Sequence, residues 1–461
     1  MSRLVVVSNR VARPGGGEGS EGGLAVGVNA AMKECGGLWF GWNGKIENRT
    51  VSEPVAQESN GVTYVTMSLH KTEYGYYYKG YANSVLWPVF HHRPELMDFH
   101  EEDLQGYLAV NKKFAEKLVP MLLPDDTIWI HDYHLIPLGK IFRDMGVTCP
   151  IGFFLHTPFP PLDLLRSVPG YRRILESLMF YDLVGFQTET DRRCFLGGVV
   201  NGLDGKKLAD RHVSAVNRTT LAEVYPIGIE TDSVQEIVAK NKFTRDIARL
   251  KDSLGDRKLI IGVDRLDYSK GLIHRFKAYE GLLKKYDKYL RKVVYLQISP
   301  TSRGDVEAYA DLADQIDREA GHIIGTYADF DWMPLRYLNQ GFRRGAIFAM
   351  YNLARVGFVT PLRDGMNLVA KEYVASQNPE NPGVLVLSKM AGAAAELDAA
   401  LIVNPYDIQA VSNALDQALS MSLDERIARW EKCMSVLKVN DIYTWQEKFM
   451  RDLRGSQAEV G

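Results

Sequence analysis

The chain has 461 residues, of which 46% are hydrophobic and 24% charged, with 55 basic against 57 acidic side chains and a formal net charge of -2. That length exceeds what one compact core holds and implies two or three domains. The charge balance gives no support for an electrostatic nucleic-acid or membrane footprint, so any bound anion must be held by a local cluster of cations.

At the start of the chain, Met1-Ser2-Arg3 leads into an apolar stretch, 4–7, that is far too short for a secretory leader. No apolar run is long enough to cross a membrane as a helix. Cys35, Cys149, Cys194 and Cys433 are scattered and form no C-x-x-C pair, so reduced thiols in a cytoplasmic protein are expected. The glycine-rich patch 15–23 reads as a loop between the first strand and a helix beginning near Leu24.

Short β-branched runs at 4–7, 128–130, 151–155, 183–186 and 224–227 read as strands buried on both faces. The same signal returns at 259–263, 293–298, 356–360, 384–387 and 401–403. Amphipathic stretches of helical length, among them 272–289, 305–320 and 408–421, lie between them. This alternation predicts α/β architecture, with helices on both faces of mainly parallel sheets. The pattern begins afresh at Leu259 after a charged helical stretch, 233–254, which puts a domain boundary within 230–250. From Asp424 the chain reads as helical, and Trp445, Phe449 and Leu453 recur at helical spacing.

In such sheets ligands bind beyond the carboxyl ends of the strands, so the residues just after each strand carry the chemistry. Asp364, Gly365, Met366 and Asn367 form a turn after strand 356–360, and a helix begins near Asn367. Its free N–H groups suit a diphosphate. Glu372 lies far enough along, about 12 Å if all is helical, for one carboxylate to meet a sugar and the other a ribose. An ordinary N-capped helix explains the same residues. After strand 259–263, Arg265 and Lys270 share one loop and can converge on an anion, or can pair with Asp264 and Asp267. Arg10, Asp132 and His156 follow three strands of the first half and can face one crevice, with Arg303 as a second phosphate clamp. His156 is a candidate general base, though a strand-end histidine is more often a hydrogen-bonded structural residue. Asp329-Phe330-Asp331 is a D-x-D pattern without a ligand cluster around it, and no metal is expected there. The formal G-x-G-x-x-G from Gly17 to Gly22 lies well past its strand and is weak.

Longer motifs then give a resemblance. They include Ser8-Asn9-Arg10, Gly22-Gly23-Leu24, Leu38-Trp39-Phe40-Gly41-Trp42, Asn83-Ser84-Val85-Leu86-Trp87-Pro88 and Trp129-Ile130-His131-Asp132-Tyr133-His134. They continue through His156-Thr157-Pro158-Phe159-Pro160, Tyr225-Pro226-Ile227-Gly228-Ile229, Arg265-Leu266-Asp267-Tyr268-Ser269-Lys270-Gly271 and the run from Pro361 to Glu372. In these the chain resembles, over nearly its whole length, the trehalose-6-phosphate synthase family of retaining nucleotide-sugar glucosyltransferases. The resemblance implies the GT-B arrangement, two Rossmann-like doubly wound domains facing a cleft. It assigns residues 1–235 to the acceptor, 236–440 to the nucleotide sugar and 441–461 to a C-terminal helix packing back on the first domain.

By the same resemblance Arg10, Tyr78, Asp132 and Arg303 hold glucose 6-phosphate, and Trp87 and His156 line the sugars near the reaction centre. Tyr78 is chosen among Tyr76, Tyr77 and Tyr78 by counting back from Trp87. Gly22 and Gly23 belong to a loop over the donor, and Arg265 and Lys270 meet its diphosphate. Asp364, Met366, Asn367 and Leu368, with Val369, Ala370 and Lys371, form the donor segment that ends at Glu372 on the ribose, while Phe342 meets the base. The catalytic set is Arg265, Lys270, Asp364 and His156. The implied reaction joins glucose from UDP-glucose to glucose 6-phosphate by front-face attack, with no cofactor or metal, no membrane or nucleic-acid partner, and a homodimer or homotetramer as the assembly. A transferase with another donor base or acceptor, such as a glucosylglycerol-phosphate synthase or a pseudo-sugar coupling enzyme, uses the same clamp. An inactive regulatory subunit is disfavoured by the full set of anion-binding residues.

Overall fold

The computed structural model describes residues 3–11, 32, 36–49, 53–208, 211–301 and 307–455. The chain forms two compact units, Met1–Ile227 together with Ile442–Gly461, and Gly228–Asp441.

The first unit is built on a ten-stranded sheet. Its strands are β1 (Leu4–Arg10), β2 (Gly37–Glu47), β3 (Val55–Ser59), β4 (Val62–His70), β5 (Thr127–His131), β6 (Ile151–Phe154), β7 (Leu183–Phe186), β8 (Lys206–Lys207), β9 (His212–Ala215) and β10 (Arg218–Val224). They lie in the order β3-β4-β2-β1-β5-β6-β7-β10-β9-β8. The strands from β4 through β10 in this order run parallel, and β3, β9 and β8 pair antiparallel at the edges. Chain order reverses between β1 and β5, the switch point at which doubly wound sheets open a crevice. The central strands β5, β6 and β7 are buried at every residue, which is why they read as unbroken apolar runs.

The second unit holds a six-stranded, all-parallel sheet of β11 (Lys258–Val263), β12 (Val293–Ile298), β13 (Leu335–Leu338), β14 (Val356–Val359), β15 (Val384–Ser388) and β16 (Leu401–Val403). The order β13-β12-β11-β14-β15-β16 is the Rossmann order, and its switch point lies between β11 and β14. The chain is thus α/β with two Rossmann-like doubly wound sheets.

Two local expectations are corrected. The run 224–227 is not a strand: β10 ends at Val224, and Tyr225 to Glu230 are irregular. The N–H of Tyr225 still reaches the Phe186 carbonyl at 2.8 Å, but Pro226 has no N–H with which to extend the ladder. The charged stretch 233–254 is two helices, Thr231–Asn241 and Arg245–Leu254, separated by the extended N-cap residue Thr244.

The helix Ile442–Gly455 returns to the first unit and buries Trp445, Phe449 and Leu453. Trp445 and Phe449 lie 4.7 and 4.9 Å from the Trp129 ring of β5. Gly152 in β6 and Gly185 in β7 make room for them: a Cβ at either would lie 2.7 or 2.8 Å from the Phe449 ring.

Candidate functional site

Arg10 is the exposed last residue of β1, with its guanidinium carbon 5.9 Å from the Trp42 ring centroid. Gly44 lies alongside at φ 83°, where a Cβ would stand 2.7 Å from Arg10 Nη2, so the glycine leaves the passage the guanidinium uses. The Trp42 ring is 5.7 Å from Tyr74 and 5.8 Å from Tyr78. Those two tyrosines stack at 5.2 Å, and Tyr78 stacks on His134 at 5.6 Å with planes 10° apart. Both tyrosines come from Tyr74–Leu86, wound as a π-helix of 13 residues. Side chains follow that winding: Asn83 Nδ2 donates to the Tyr78 carbonyl and Ser84 Oγ to that of Lys79. Such widened turns concentrate at functional sites. They also sort the three tyrosines. Tyr77 is buried and donates to Asn9 Oδ1 at 2.9 Å, Tyr76 is exposed, and Tyr78, like Arg10, lies against the Trp42 ring.

Asp132 follows β5 with φ 75° and ψ 164°, a strained conformation for a residue with a side chain. Its N–H donates to the Phe154 carbonyl at 2.8 Å, and its Oδ1 accepts the His156 N–H at 3.2 Å. His156 Nε2 is 3.1 Å from His131 Nδ1, so one ring donates and the other accepts. Burial holds both imidazoles below the ordinary histidine range, His156 at about 3. Burial thus disfavours the imidazolium form of His156, whose ring is held by the His131 contact. Trp87 is buried, 4.0 Å from the His91 ring and 5.7 Å from Tyr133.

The second unit brings together the loops after β11 and β14. Lys270 Nζ donates to Asp364 Oδ2 at 2.6 Å, and Asn367 Nδ2 donates to the same oxygen at 2.9 Å. Asn367 stands at φ 75° and caps the helix Leu368–Ala375, its Oδ1 accepting the Ala370 N–H at 3.1 Å. Leu368 and Val369 thus open the helix with N–H groups that have no intrahelical acceptor. The Met366 carbonyl accepts the Ala393 N–H, and the Asp364 N–H donates to Met390, so the turn is pinned from below. Gly271, at φ 68°, sits where a Cβ would be 2.7 Å from the Thr360 carbonyl, which brings the two loops into backbone contact. Arg265 is exposed on the first loop, and Phe342 is half-buried in the coil before the helix Arg344–Leu353.

Beneath these loops Arg275 is fully buried. It donates to Asp264 Oδ2 at 2.6 Å, to Gln297 Oε1 at 3.0 Å, to Thr360 Oγ1 at 3.2 Å and to the Lys270 carbonyl at 3.3 Å. Asp264 is thereby taken up by Arg275, which leaves the Lys270 ammonium to Asp364. Glu372 accepts from Arg344 Nη2 at 3.4 Å; burial raises its carboxyl while Arg344 opposes that rise. Lys371 points elsewhere: its ammonium is fully buried against Glu396 at 2.6 Å. Gly22, Gly23 and Arg303 lie outside the described residues, as do the loop 15–23 and the start of the helix expected near Leu24. Asp329 and Asp331 are ion-paired with Arg291 and Arg257.

The sequence reading missed Arg275, Arg344, Trp42 and Tyr74. Trp42 lay inside a quoted aromatic run, but no spacing in the sequence links it to Arg10. Arg275 reads as an ordinary helix residue until its burial is seen. Chemically, the first unit offers an exposed guanidinium beside hydroxyl-accepting groups. The second offers two cations and a helix start for a diphosphate, with Glu372 for vicinal hydroxyls.

The family profile described as Glycosyltransferase family 20 matches residues 9–455. A trehalose-6-phosphate synthase of Klebsiella pneumoniae is 50% identical over 455 residues, 98% of this chain and 95% of that one. The crystal structure of an α,α-trehalose-phosphate synthase (UDP-forming) from Burkholderia xenovorans in complex with glucose-6-phosphate has a TM-score of 0.96 at 47% identity, covering 98% of this chain and 100% of that one. A structure from E. coli bound with UDP-2-fluoro glucose has a TM-score of 0.94 at 49% identity, covering 98% and 99%. The strand-end cations, the capped helix start and these matches along the whole length agree: the chain belongs to glycosyltransferase family 20.

Proposed function

We propose that this protein transfers glucose from UDP-glucose to the anomeric hydroxyl of glucose 6-phosphate, giving α,α-trehalose 6-phosphate and UDP with retention of configuration. The observation that carries this reading is the Lys270–Asp364–Asn367 triangle at the switch point of the second sheet. It occurs in a chain 47% identical to a synthase solved with glucose-6-phosphate. In this reading the first unit takes the acceptor through Arg10, Tyr78, Trp87 and Asp132, with Arg303 as a second phosphate ligand. The second unit takes the donor through Arg265, Lys270, Phe342, the segment from Asp364 to Glu372, and a loop with Gly22 and Gly23. Lys371 serves there through its backbone, since its ammonium is committed to Glu396.

The acceptor hydroxyl attacks C1 on the face from which the diphosphate departs. The C1–O bond breaks with its electron pair going to the β-phosphate, and the hydroxyl proton passes to a phosphate oxygen. Arg265, Lys270 and the N–H groups of Leu368 and Val369 offset the leaving charge. Asp364 accepts hydroxyls of the transferred sugar and keeps Lys270 in place between turnovers. His156, neutral and fixed by His131, is a hydrogen-bonding partner for a sugar hydroxyl. A homodimer or homotetramer in the cytoplasm belongs to the same reading, and light scattering on the purified chain measures that assembly.

The test is product analysis after incubation with UDP-glucose and glucose 6-phosphate, with a chelator control. Trehalose 6-phosphate and UDP in equal amounts, unaffected by chelator, are expected. A folded protein that releases UDP without making the phosphorylated disaccharide overturns the acceptor assignment.

A further inference from the structure

At the opposite edge of the second sheet stands a group of cations that the glucosyl-transfer chemistry does not use. Lys258 is the first residue of β11, Arg355 directly precedes β14, and the turn at Asn381 and Pro382 leads into β15. These three strands are neighbours in the sheet. The Arg355 N–H donates to the Leu259 carbonyl at 2.8 Å, and the Arg355 carbonyl accepts from Val384 at 2.9 Å, so the strand starts are locked side by side. Arg426, from the helix Leu423–Val439, donates to Asn381 Oδ1 at 2.8 Å and to the Pro382 carbonyl. The three cations therefore gather at one edge, a strand length of about 20 Å from the Asp364 site.

Among the described residues no carboxylate pairs with Lys258, Arg355 or Arg426. The Lys258 ammonium donates to the Leu419 carbonyl at 2.7 Å. Of the nearby cations, Lys288 is already paired with Asp416 at 2.5 Å. Arg426 is only 5% exposed, and its Nε is buried without a hydrogen-bond acceptor. Burial and the charges of Arg355, Arg426 and Lys288 hold Lys258 below the ordinary lysine range. Burial and then Arg355 do the same to Arg426. Tyr373 bears on both Arg355 and Arg426, and burial keeps its phenol protonated. Like charges held together, with a buried donor left open, make an arrangement that an anion relieves.

We infer that this edge binds a tetrahedral oxyanion of the phosphate class, taken between Lys258 at the mouth, the half-buried Arg355 and the buried Arg426. Arginine forks match phosphate oxygens in pairs, and Lys258 adds a point charge at the opening. The ligand is either the free ion or the phosphate of a sugar phosphate, since the cations read the same oxygens in both.

The test is thermal melting of the full chain in rising inorganic phosphate, with ionic strength held constant by chloride. A ligand that binds the folded state raises the melting temperature as its concentration passes its dissociation constant. Wild type is compared with Arg355→Gln, with the exposed-site variant Lys258→Gln as a substitution that spares the interior, and with Arg10→Ala, which removes the phosphate clamp proposed in the first unit. Both edge variants are expected to weaken the phosphate response by about tenfold while glucosyl transfer stays at the wild-type rate. Arg10→Ala is expected to retain this part of the response. Replacing phosphate by glucose 6-phosphate in the Arg10→Ala chain, with and without Lys258→Gln, then separates the sources: a shift that Lys258→Gln weakens upholds the site and says which ligand fits. Edge variants whose curves superimpose on wild type, or an Arg10→Ala chain with no response to either ligand, overturn it.

Discussion

Lys270 shows how a single contact divides the labour of a site. Its ammonium rests on Asp364, while its backbone carbonyl is held from below by Arg275. Lys270→Ala is expected to lower kcat by about 10²–10³, the scale of losing one donor to a developing oxyanion; steady-state turnover of UDP-glucose reads this directly. Arg275→Lys keeps the charge that Asp264 requires, but one ammonium cannot reach four acceptors in different directions. The Lys270 loop then loses its fixed position. We expect kcat to fall by about ten- to a hundredfold while KM for glucose 6-phosphate is unchanged; an equal rise in both Michaelis constants would contradict a positioning role. Glu372 adds a pH dependence. Burial raises its carboxyl above the usual carboxylate range and Arg344 opposes the rise, so removing the arginine raises it further. Protonation costs the acceptor that a ribose diol needs. KM for UDP-glucose should therefore climb on the acid side at a higher pH in Arg344→Gln than in wild type, measured from about pH 5 to 8. The residue scale was also where the sequence was least informative. Arg10, Lys270, Asp364 and Glu372 could be named because they follow strands or sit in long motifs. Arg275 and Arg344 could not, because burial and pairing arise only once distant segments pack.

Among the elements, the helix Leu368–Ala375 was legible from its turn and its Asn367 cap, both local features. The π-helix Tyr74–Leu86 was not: nothing in a run of tyrosines and glycines specifies an i→i+5 winding, which is held by packing on the helix Glu101–Leu118. The strand β2 was hidden for another reason. Its alternation is lost because Trp39 and Phe40 are buried on opposite faces, so it read as an aromatic motif. The helix Ile442–Gly455 was legible as a helix from the spacing of Trp445, Phe449 and Leu453. Gly152 and Gly185 show how closely Phe449 is seated. Phe449→Ala opens a cavity against Trp129 and should cost about 3–5 kcal/mol, visible as a lower midpoint in denaturant unfolding of the first unit with the second unit unaffected.

At the scale of the whole molecule, two doubly wound sheets grow from short apolar runs separated by helical stretches, and the site's charged residues, set at strand ends and a helix start, leave the net balance at -2. The strand starts and ends do different work: the carboxyl ends carry the proposed substrate residues, and the amino-terminal edge of the second sheet gathers Lys258, Arg355 and Arg426, with which no carboxylate pairs among the described residues. The strands β3, β9 and β13, at or next to the sheet edges, escaped sequence reading because each has at least one half-exposed or exposed polar face.

The chain leaves the first unit at Ile227 and comes back to it at Ile442. During synthesis this order matters. The second unit is one continuous stretch and has all its strands as soon as it emerges, whereas the first waits for its last helix with Gly152 and Gly185 uncovered and Trp129 lacking its partners. The part made first is thus completed last. A released chain truncated after Asp441 should resist protease across 228–441 and remain cleavable within 1–227, whereas the full chain should be protected in both. A translating ribosome therefore holds the first unit incomplete until the helix Ile442–Gly455 is out.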